Sequence, residues 1–347
     1  MSTTSIKEVA RRAGVSVGTV SNVLNRPDIV RPEKRQRVLA AIHELGFVRN
    51  ESARQLRAGR SRTIGLVVLD VANPFFTDVA RGAELAADEH NLVVVLCDSG
   101  GQKARESRYL DHFEAQRVLG VLITPVDTDG GRLDRLARLG VPVVLVDRQA
   151  GDRGGCSVAV DDVGGGRLAA THLLDQGHRR LAYVGGPRST PQVADRRLGA
   201  TRAVATVPGA DLRVFETPSL TFAAGRAAGD AVATMSPADR PTAVFCANDL
   251  LALGVLQAFT RHGVRVPGDV ALIGYDDIEF AAAAAVPLSS IRQPREHLGR
   301  SAAELLLAEA FDGVGHQHRQ VVFEPELVVR ASTAAPEESA RGGDQVA

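Results

Sequence analysis

Tryptophan is absent from this 347-residue chain, and aromatic residues of all kinds make up only 4% of it. A ligand site walled by stacked indole rings is therefore excluded. Cysteine is scarce too: Cys97, Cys156 and Cys246 are odd in number and far apart in sequence. They form no disulfide framework and read as buried, reduced thiols of a cytoplasmic protein. No run of about 18 apolar residues occurs, which argues against a membrane-spanning helix. The opening residues, MSTTSIKEVARR, lack the apolar core of a signal peptide, so export is not expected. The GxSxG, HExxH and P-loop patterns are all missing. No catalytic residue and no cofactor is assigned, and the chain does not read as an enzyme.

What is present suits a globular protein of two or three domains, with 44% apolar and 24% charged residues. The formal charge of zero hides an asymmetry. Residues 1–62 hold 13 Lys/Arg against 5 Asp/Glu, and the remainder holds 28 against 36. A basic head on an acidic body fits a polyanion that meets only the head. Charge alone fits a solvated basic surface equally well.

The head resolves that choice. Ile6, Val9, Ala10 and Ala13 share one face of a short helix, and Gly14 permits a turn that a β-carbon resists. Val15 points inward, and Ser16 is placed to cap a second helix sealed by Val20, Val23 and Leu24. A third helix begins at Pro32, carries a stripe of Val38, Leu39, Ile42 and Leu45, and ends at Gly46. This spacing is that of a helix-turn-helix. The second helix exposes short, uncharged polar groups, which suit a DNA major groove. Val17, Gly18, Thr19, Ser21, Asn22 and Asn25 face bases and phosphates in this reading. Ser16 and the helix N-terminus hold a phosphate oxygen.

Residues 49–62, RNESARQLRAGRSR, permit a helix of about eight residues, too short to be stable alone in water. Ala53 and Leu56 share a face, amid Arg54, Arg57, Arg60 and Arg62. From the residues alone, this is either a flexible linker or a helix that docks on its own copy and wedges Leu56 into a minor groove.

Beyond Arg62, apolar runs alternate with helical patterns. Strands are expected at 63–70, 92–99, 118–126 and 141–147, then at 156–161, 180–186, 212–218, 241–249 and 270–277. Continuous Val/Ile/Leu runs between helices predict parallel sheets covered on both faces. The fold class is thus α/β: a helix-turn-helix head and hinge, then two doubly wound subdomains with a cleft between them. Asp70, Asp98, Asp147, Asn248, Asp249, Asp276 and Asp277 fall at strand C-terminal ends, where such sheets bind ligands. About half of them read as caps of the following helices. GGGRLA (164–169) imitates a dinucleotide fingerprint, but the next strand ends as YVGGP, with no acid for a ribose. The HQH at 316–318 offers two histidines with no third ligand near in sequence, so no metal is expected.

On IKEVARRAGVSVGTVSNVLN, VLAAIHELGFVRN and SARQL, the chain resembles the lactose-repressor (LacI/GalR) family from Thr4 to about Arg62. The resemblance continues to about Ser332. It departs at Arg31, which stands where relatives carry a small capping residue. The resemblance implies that the hinge helix folds when two subunits sit on double-stranded operator DNA, with Leu56 opening the central base step. Arg54 and Arg57 would neutralise phosphates. It also implies a core of periplasmic-binding-protein type, whose pocket positions fall on Phe75, Phe76, Asp147, Arg196, Asn248 and Asp276. Gln293 would sit where the chain crosses between subdomains. Carboxylates, an amide and a guanidinium can bind vicinal hydroxyls in pairs, so a sugar is the expected effector. Release from DNA on effector binding is the commoner family behaviour; corepression, as in purine-responsive members, and control by a partner protein are the alternatives.

The expected organisation is 1–48 for the DNA-binding head, 49–62 for the hinge and 63–332 for the effector core. Within the core, the N-subdomain takes about 63–158 and 294–320, and the C-subdomain about 159–291 and 321–332. Residues 333–347 read as a disordered tail without the heptads of a tetramerising helix, so a homodimer is expected.

Overall fold

The computed structural model describes residues 4–47, 61–126 and 131–333. Residues 49–60 of the expected hinge, with Arg54, Leu56 and Arg57, lie outside the described residues, as does the tail after Thr333. The chain separates into two units, Met1–Arg60 and Ser61–Ala347.

Among the described residues the head holds three α-helices: α1 (Ile6–Ala13), α2 (Val17–Asn25) and α3 (Pro32–Glu44). Ser5 and Glu8 close a reciprocal capping box at the start of α1. Gly14 ends that helix in the left-handed region at φ 62°. Val9, Ala10, Ala13, Val20, Val23, Val38 and Ala41 form the core. On α3 the buried side chains are Val38 and Ala41, backed by half-buried Ile42 and Leu45. Leu39, expected in that stripe, is 47% exposed instead. It is one helical step past Val38, and α1 and α2 already fill the space Val38 faces. Arg31 makes no side-chain cap, and Pro32 opens α3, where a missing N–H costs nothing.

The body holds two six-stranded sheets. The first has the order β11-β5-β4-β3-β1-β2: β1 Thr63–Val68, β2 Val93–Asp98, β3 Gly120–Ile123, β4 Val143–Val146, β5 Cys156–Val160 and β11 Gln320–Phe323. The second has the order β12-β10-β9-β8-β6-β7: β6 Arg180–Gly185, β7 Asp211–Glu216, β8 Ala243–Cys246, β9 Ala271–Asp276, β10 Ser289–Arg292 and β12 Glu326–Val328. All pairings are parallel except β10 with β12. The central strands are buried throughout, as expected of sheets covered by helices on both faces. The edge strand β2 is not: Val93, Val95 and Leu96 are exposed, because the sheet ends there.

The chain crosses between sheets after Val160, after Arg292 and after Phe323. Two of these crossings fall a few residues from the expected limits. β5 extends to Val160 and β11 to Phe323, because both pair within the first sheet through Val160↔Phe323.

Glycines set the helix spacing. A β-carbon on Gly166 would lie 1.9 Å from the Arg196 carbonyl oxygen, and one on Gly199 would lie 2.0 Å from that of Val163. The helices Asp162–Asp175 and Pro191–Val204 therefore pack backbone to backbone. Gly164 and Gly166 of the apparent dinucleotide fingerprint sit in this helix rather than in a phosphate loop. The same reciprocal contact joins Gly82 to the helix Arg295–Asp312 and Gly299 to the helix Pro74–Asp88.

Candidate effector cleft and DNA-reading helix

The strand C-terminal ends of both sheets converge on a cavity of about 60 Å³. Its lining includes Asp70, Asn73, Phe75, Phe76, Asp147, Gln192, Arg196, Leu220, Asn248 and Asp276. Six of the seven expected effector residues are there. The seventh, Gln293, stands at the second crossing and donates from Nε2 to Asp276 Oδ1 at 2.7 Å. It orients the carboxylate from behind.

Arg196 is the electrostatic centre and is 4% exposed. Its Nε donates to Asp162 Oδ1 at 2.7 Å, and its Nη1 to the Ala247 carbonyl at 2.7 Å. The guanidinium stacks 3.7 Å from the centroid of the Tyr275 ring and lies 3.8 Å from Asp276 Oδ1. The close glycine packing described above brings the Arg196 backbone against the helix that carries Asp162. Its neighbour Arg197 lines a different groove, with Arg188 and Glu216. Of the two adjacent arginines, Arg196 is the one that faces the cavity.

Two contacts bridge the two sheets' loops. Asn73 Nδ2 donates to Asp276 Oδ2 at 3.3 Å. Gln192 Nε2 donates to the Asp147 carbonyl at 2.7 Å and to Asp147 Oδ2 at 2.9 Å. Asp147 and Asp276 both have positive φ, 56° and 105°, where the strands turn into the cleft. Burial raises the Asp147 carboxyl well above the ordinary range, and nearby Asp162 raises it further. Burial also pushes Asp276 up to about 6, against the pull of Arg196 and the hydrogen bonds from Asn73 and Gln293. Asp147 Oδ1 and Gln192 Oε1 are buried acceptors with no hydrogen-bond partner among the described residues.

The remaining strand-end residues are mostly structural. Asp98 accepts from the Gly100 N–H, and Asp249 from Ser290 Oγ and the Ile278 N–H. Asp277 pairs with Arg292 and Arg330. Asn248 lines the cavity yet is spent as a cap: its Oδ1 accepts from Leu251 N and its Nδ2 donates to the Leu220 carbonyl. Asn73, Gln192 and Asp162 were not singled out from sequence. Gln192 had a signal, since it precedes Arg196 by four residues on one helix face. His316 and His318, for which no further ligand was expected, lie beside Cys156 and Glu309.

In the head, α2 exposes Val17, Gly18, Asn22 and Asn25. Ser16 Oγ accepts from the Thr19 N–H at 3.1 Å, the expected cap. The Thr19 hydroxyl lies 2.9 Å from Ser16 Oγ, so it supports that cap and is half-buried. Asn25 Nδ2 donates to the Ser21 carbonyl at 2.8 Å. Asn22 makes no side-chain hydrogen bond among the described residues. Arg37 on α3, which sequence reading missed, donates to the carbonyls of Ala13 and Gly14 and fixes the turn.

Residues 5–50 match the family described as bacterial regulatory proteins, lacI family, and residues 170–333 match a periplasmic binding protein-like domain. The chain is 34% identical over 339 residues to the HTH-type transcriptional repressor PurR of Photobacterium profundum, spanning 94% of this chain and 98% of that one. The chain belongs to the lacI family. Among solved structures it is similar to the lac repressor dimer bound to operator and the anti-inducer ONPF, with 27% identity and a TM-score of 0.81 over 96% of this chain and all of that one. It is also similar to the CelR–cellobiose complex, with 32% identity and a TM-score of 0.68 over 95% of this chain and 99% of the other. This lacI-family protein is a DNA-binding transcriptional repressor with a small-molecule effector, not an enzyme. No helix of the described residues is long and apolar enough to cross a membrane.

Proposed function

We propose that the effector is a small polyhydroxylated molecule, a sugar or sugar derivative, held between Phe75 and Phe76 on one side and Asp147, Gln192, Arg196 and Asp276 on the other. The observation that carries this reading is the surplus of buried acceptors, Asp147 Oδ1 and Gln192 Oε1, facing a cavity. Such atoms call for donors, and a sugar hydroxyl supplies one at each carbon while leaving an apolar ring face for the phenylalanines. The similarity to a cellobiose-bound regulator supports it. A second reading is a purine-type base, whose N–H groups are also donors and whose flat faces fit the walls of Phe75, Phe76 and Leu220.

In the proposed division of labour, residues 1–48 read DNA and 63–332 bind effector, in the cytoplasm. Two subunits place their α2 helices in successive major grooves of a pseudo-palindromic operator. Val17, Gly18 and Asn22 contact base edges, while Ser16, Ser21 and Asn25 position the helix on the backbone. Arg54 and Arg57 neutralise phosphates and Leu56 opens the central step. The apolar edge strand at Val93, Val95 and Leu96 offers surface for the dimer contact. Effector closing the cleft releases the operator.

Thermal-shift measurements on the full chain with ribose, glucose, cellobiose, adenine, guanine and hypoxanthine test the chemistry, since a ligand of the native state stabilises it by mass action. Stabilisation by a sugar that is lost in Asp147→Asn is expected. Stabilisation by bases alone would replace the sugar with the second reading.

A further inference from the structure

The first sheet carries a second polar cluster at the end opposite the cleft. Cys156 opens β5, and four strand steps, roughly 13 Å, separate it from Val160 on the cleft side. Glu309 lies in the last turn of the helix Arg295–Asp312, and His316 and His318 stand in the segment leading into β11. One donor atom from each of these four residues lies within 4.8 Å of all the others. Cys156 Sγ is 3.1 Å from His316 Nε2 and 3.7 Å from His318 Nδ1. Glu309 Oε2 is 4.0 Å from His316 Nε2 and 3.7 Å from His318 Nδ1.

We propose that Cys156, Glu309, His316 and His318 form a four-coordinate site for a divalent transition metal, zinc above all. A tetrahedral zinc ion with a sulfur at about 2.3 Å and nitrogen or oxygen at about 2.0–2.1 Å sets neighbouring donors about 3.3–3.6 Å apart. Four of the six edges, at 3.1, 3.7, 3.7 and 4.0 Å, lie within tenths of an ångström of that range, and the other two are no longer than 4.8 Å. The donor set is chemically apt: a thiolate and imidazoles select a borderline-soft ion over magnesium or calcium. Binding replaces the Cys156 S–H bond with an S–metal bond and releases the proton to solvent. The thiolate and the carboxylate then balance the two positive charges, and both imidazoles stay neutral. The buried site is left without net charge.

Further observations point to a ligand rather than to a hydrogen-bonded cluster. Glu309 Oε2 is buried and accepts no hydrogen bond among the described residues, although it faces two imidazoles. The two histidines alternate along an extended segment, which sends both rings to one side, and His316 shows the backbone for it at φ −66°, ψ 132°. The His316 side chain is 5% exposed and that of His318 is 51% exposed, so the site is closed on three sides and open to an entering ion on the fourth. Cys97, on β2 of the same sheet, has no such partners among the described residues and serves as an internal control. An ion here pins the end of the long helix and edge strand β11 to β5, just ahead of the third crossing between the sheets.

Cobalt(II) titration of the tag-free full chain tests the site. One equivalent should produce the intense visible bands of tetrahedral cobalt together with near-ultraviolet thiolate charge transfer, and zinc should displace both. Cys156→Ser should remove the charge transfer, and Cys97→Ser should leave it unchanged. His318→Ala, at an exposed position that does not threaten folding, should weaken cobalt binding about tenfold or more. Absence of tetrahedral bands at one equivalent would overturn the site. So would charge transfer that survives Cys156→Ser, or wild-type cobalt affinity in His318→Ala.

Discussion

The DNA-reading helix and the effector cleft handle polar side chains in opposite ways. On α2 the proposed base-contacting residues Val17, Gly18 and Asn22 are exposed and make no side-chain hydrogen bond among the described residues, and a separate apolar face of Val20 and Val23 holds the helix in place. In the cleft the proposed effector contacts are buried and already bonded: Asp147 to Gln192, Asp276 to Asn73 and Gln293, Arg196 to Asp162. In the first case recognition and stability are carried by different atoms. In the second they are carried by the same atoms, so changes there should move both.

Arg196→Met tests this most severely. It leaves Asp147, Asp162 and Asp276 in a buried site without their guanidinium, and breaking such a network typically costs about 3–5 kcal/mol. The body should melt far lower in denaturant or heat, and a variant as stable as wild type would separate the cleft's charges from its fold. Asp276→Asn should change how stability depends on pH. Its carboxyl is raised to about 6 in the folded chain against an ordinary value of 3.8. Between those values the folded state holds more protons than the unfolded state, so this group's contribution falls as pH rises and is lowest above pH 6. The neutral amide escapes that penalty. Asp276→Asn, whose amide nitrogen must face one of the donors Asn73 and Gln293, should therefore lose about 2–3 kcal/mol less stability than wild type as pH rises from 4 to 7.5. Denaturant titrations at both pH values check it.

Asn22→Ala probes the other region. It should cost about 1–3 kcal/mol of discrimination at one base position, measured by selection from random DNA, and leave the melting temperature unchanged. A uniform loss across sequences would make Asn22 a phosphate contact instead. Gly14→Ala is the exception that sharpens the contrast, because it harms the head through its fold. A β-carbon at φ 62° would meet the Arg37 guanidinium at 2.5 Å. A loss of about 1–2 kcal/mol in head stability is expected, by amide exchange of α1 and α2, with Arg37→Ala showing part of the same effect.

The head was nearly all legible in sequence, because Gly14, Ser16, Val20 and Val23 act within a few residues of one another. Arg37 was not, since its partners lie 23 and 24 residues away. The cleft was legible wherever a strand ends in a polar residue, as at Asp147 and Asp276. Whether such a residue faces ligand or merely caps a helix depends on contacts that sequence does not display. Asn248 does both, while Asp249 and Asp277 are consumed by neighbours from β10 and the segment around Arg330. The edge strand β2 looked buried because its Val/Leu run matches that of the central strands. The Cys156–His316 pairing was hidden altogether, being 160 residues apart in the chain.

The coupling between the two regions can be read in one titration. DNA selected by the full chain is saturated with wild-type protein and with Asp276→Asn, and the sugar that raises the wild-type melting temperature is added to each. Release of wild type alone, with both proteins holding the DNA equally well beforehand, is the expected result. Release of both proteins at the same sugar concentration would contradict the assignment of the cleft as the controlling site.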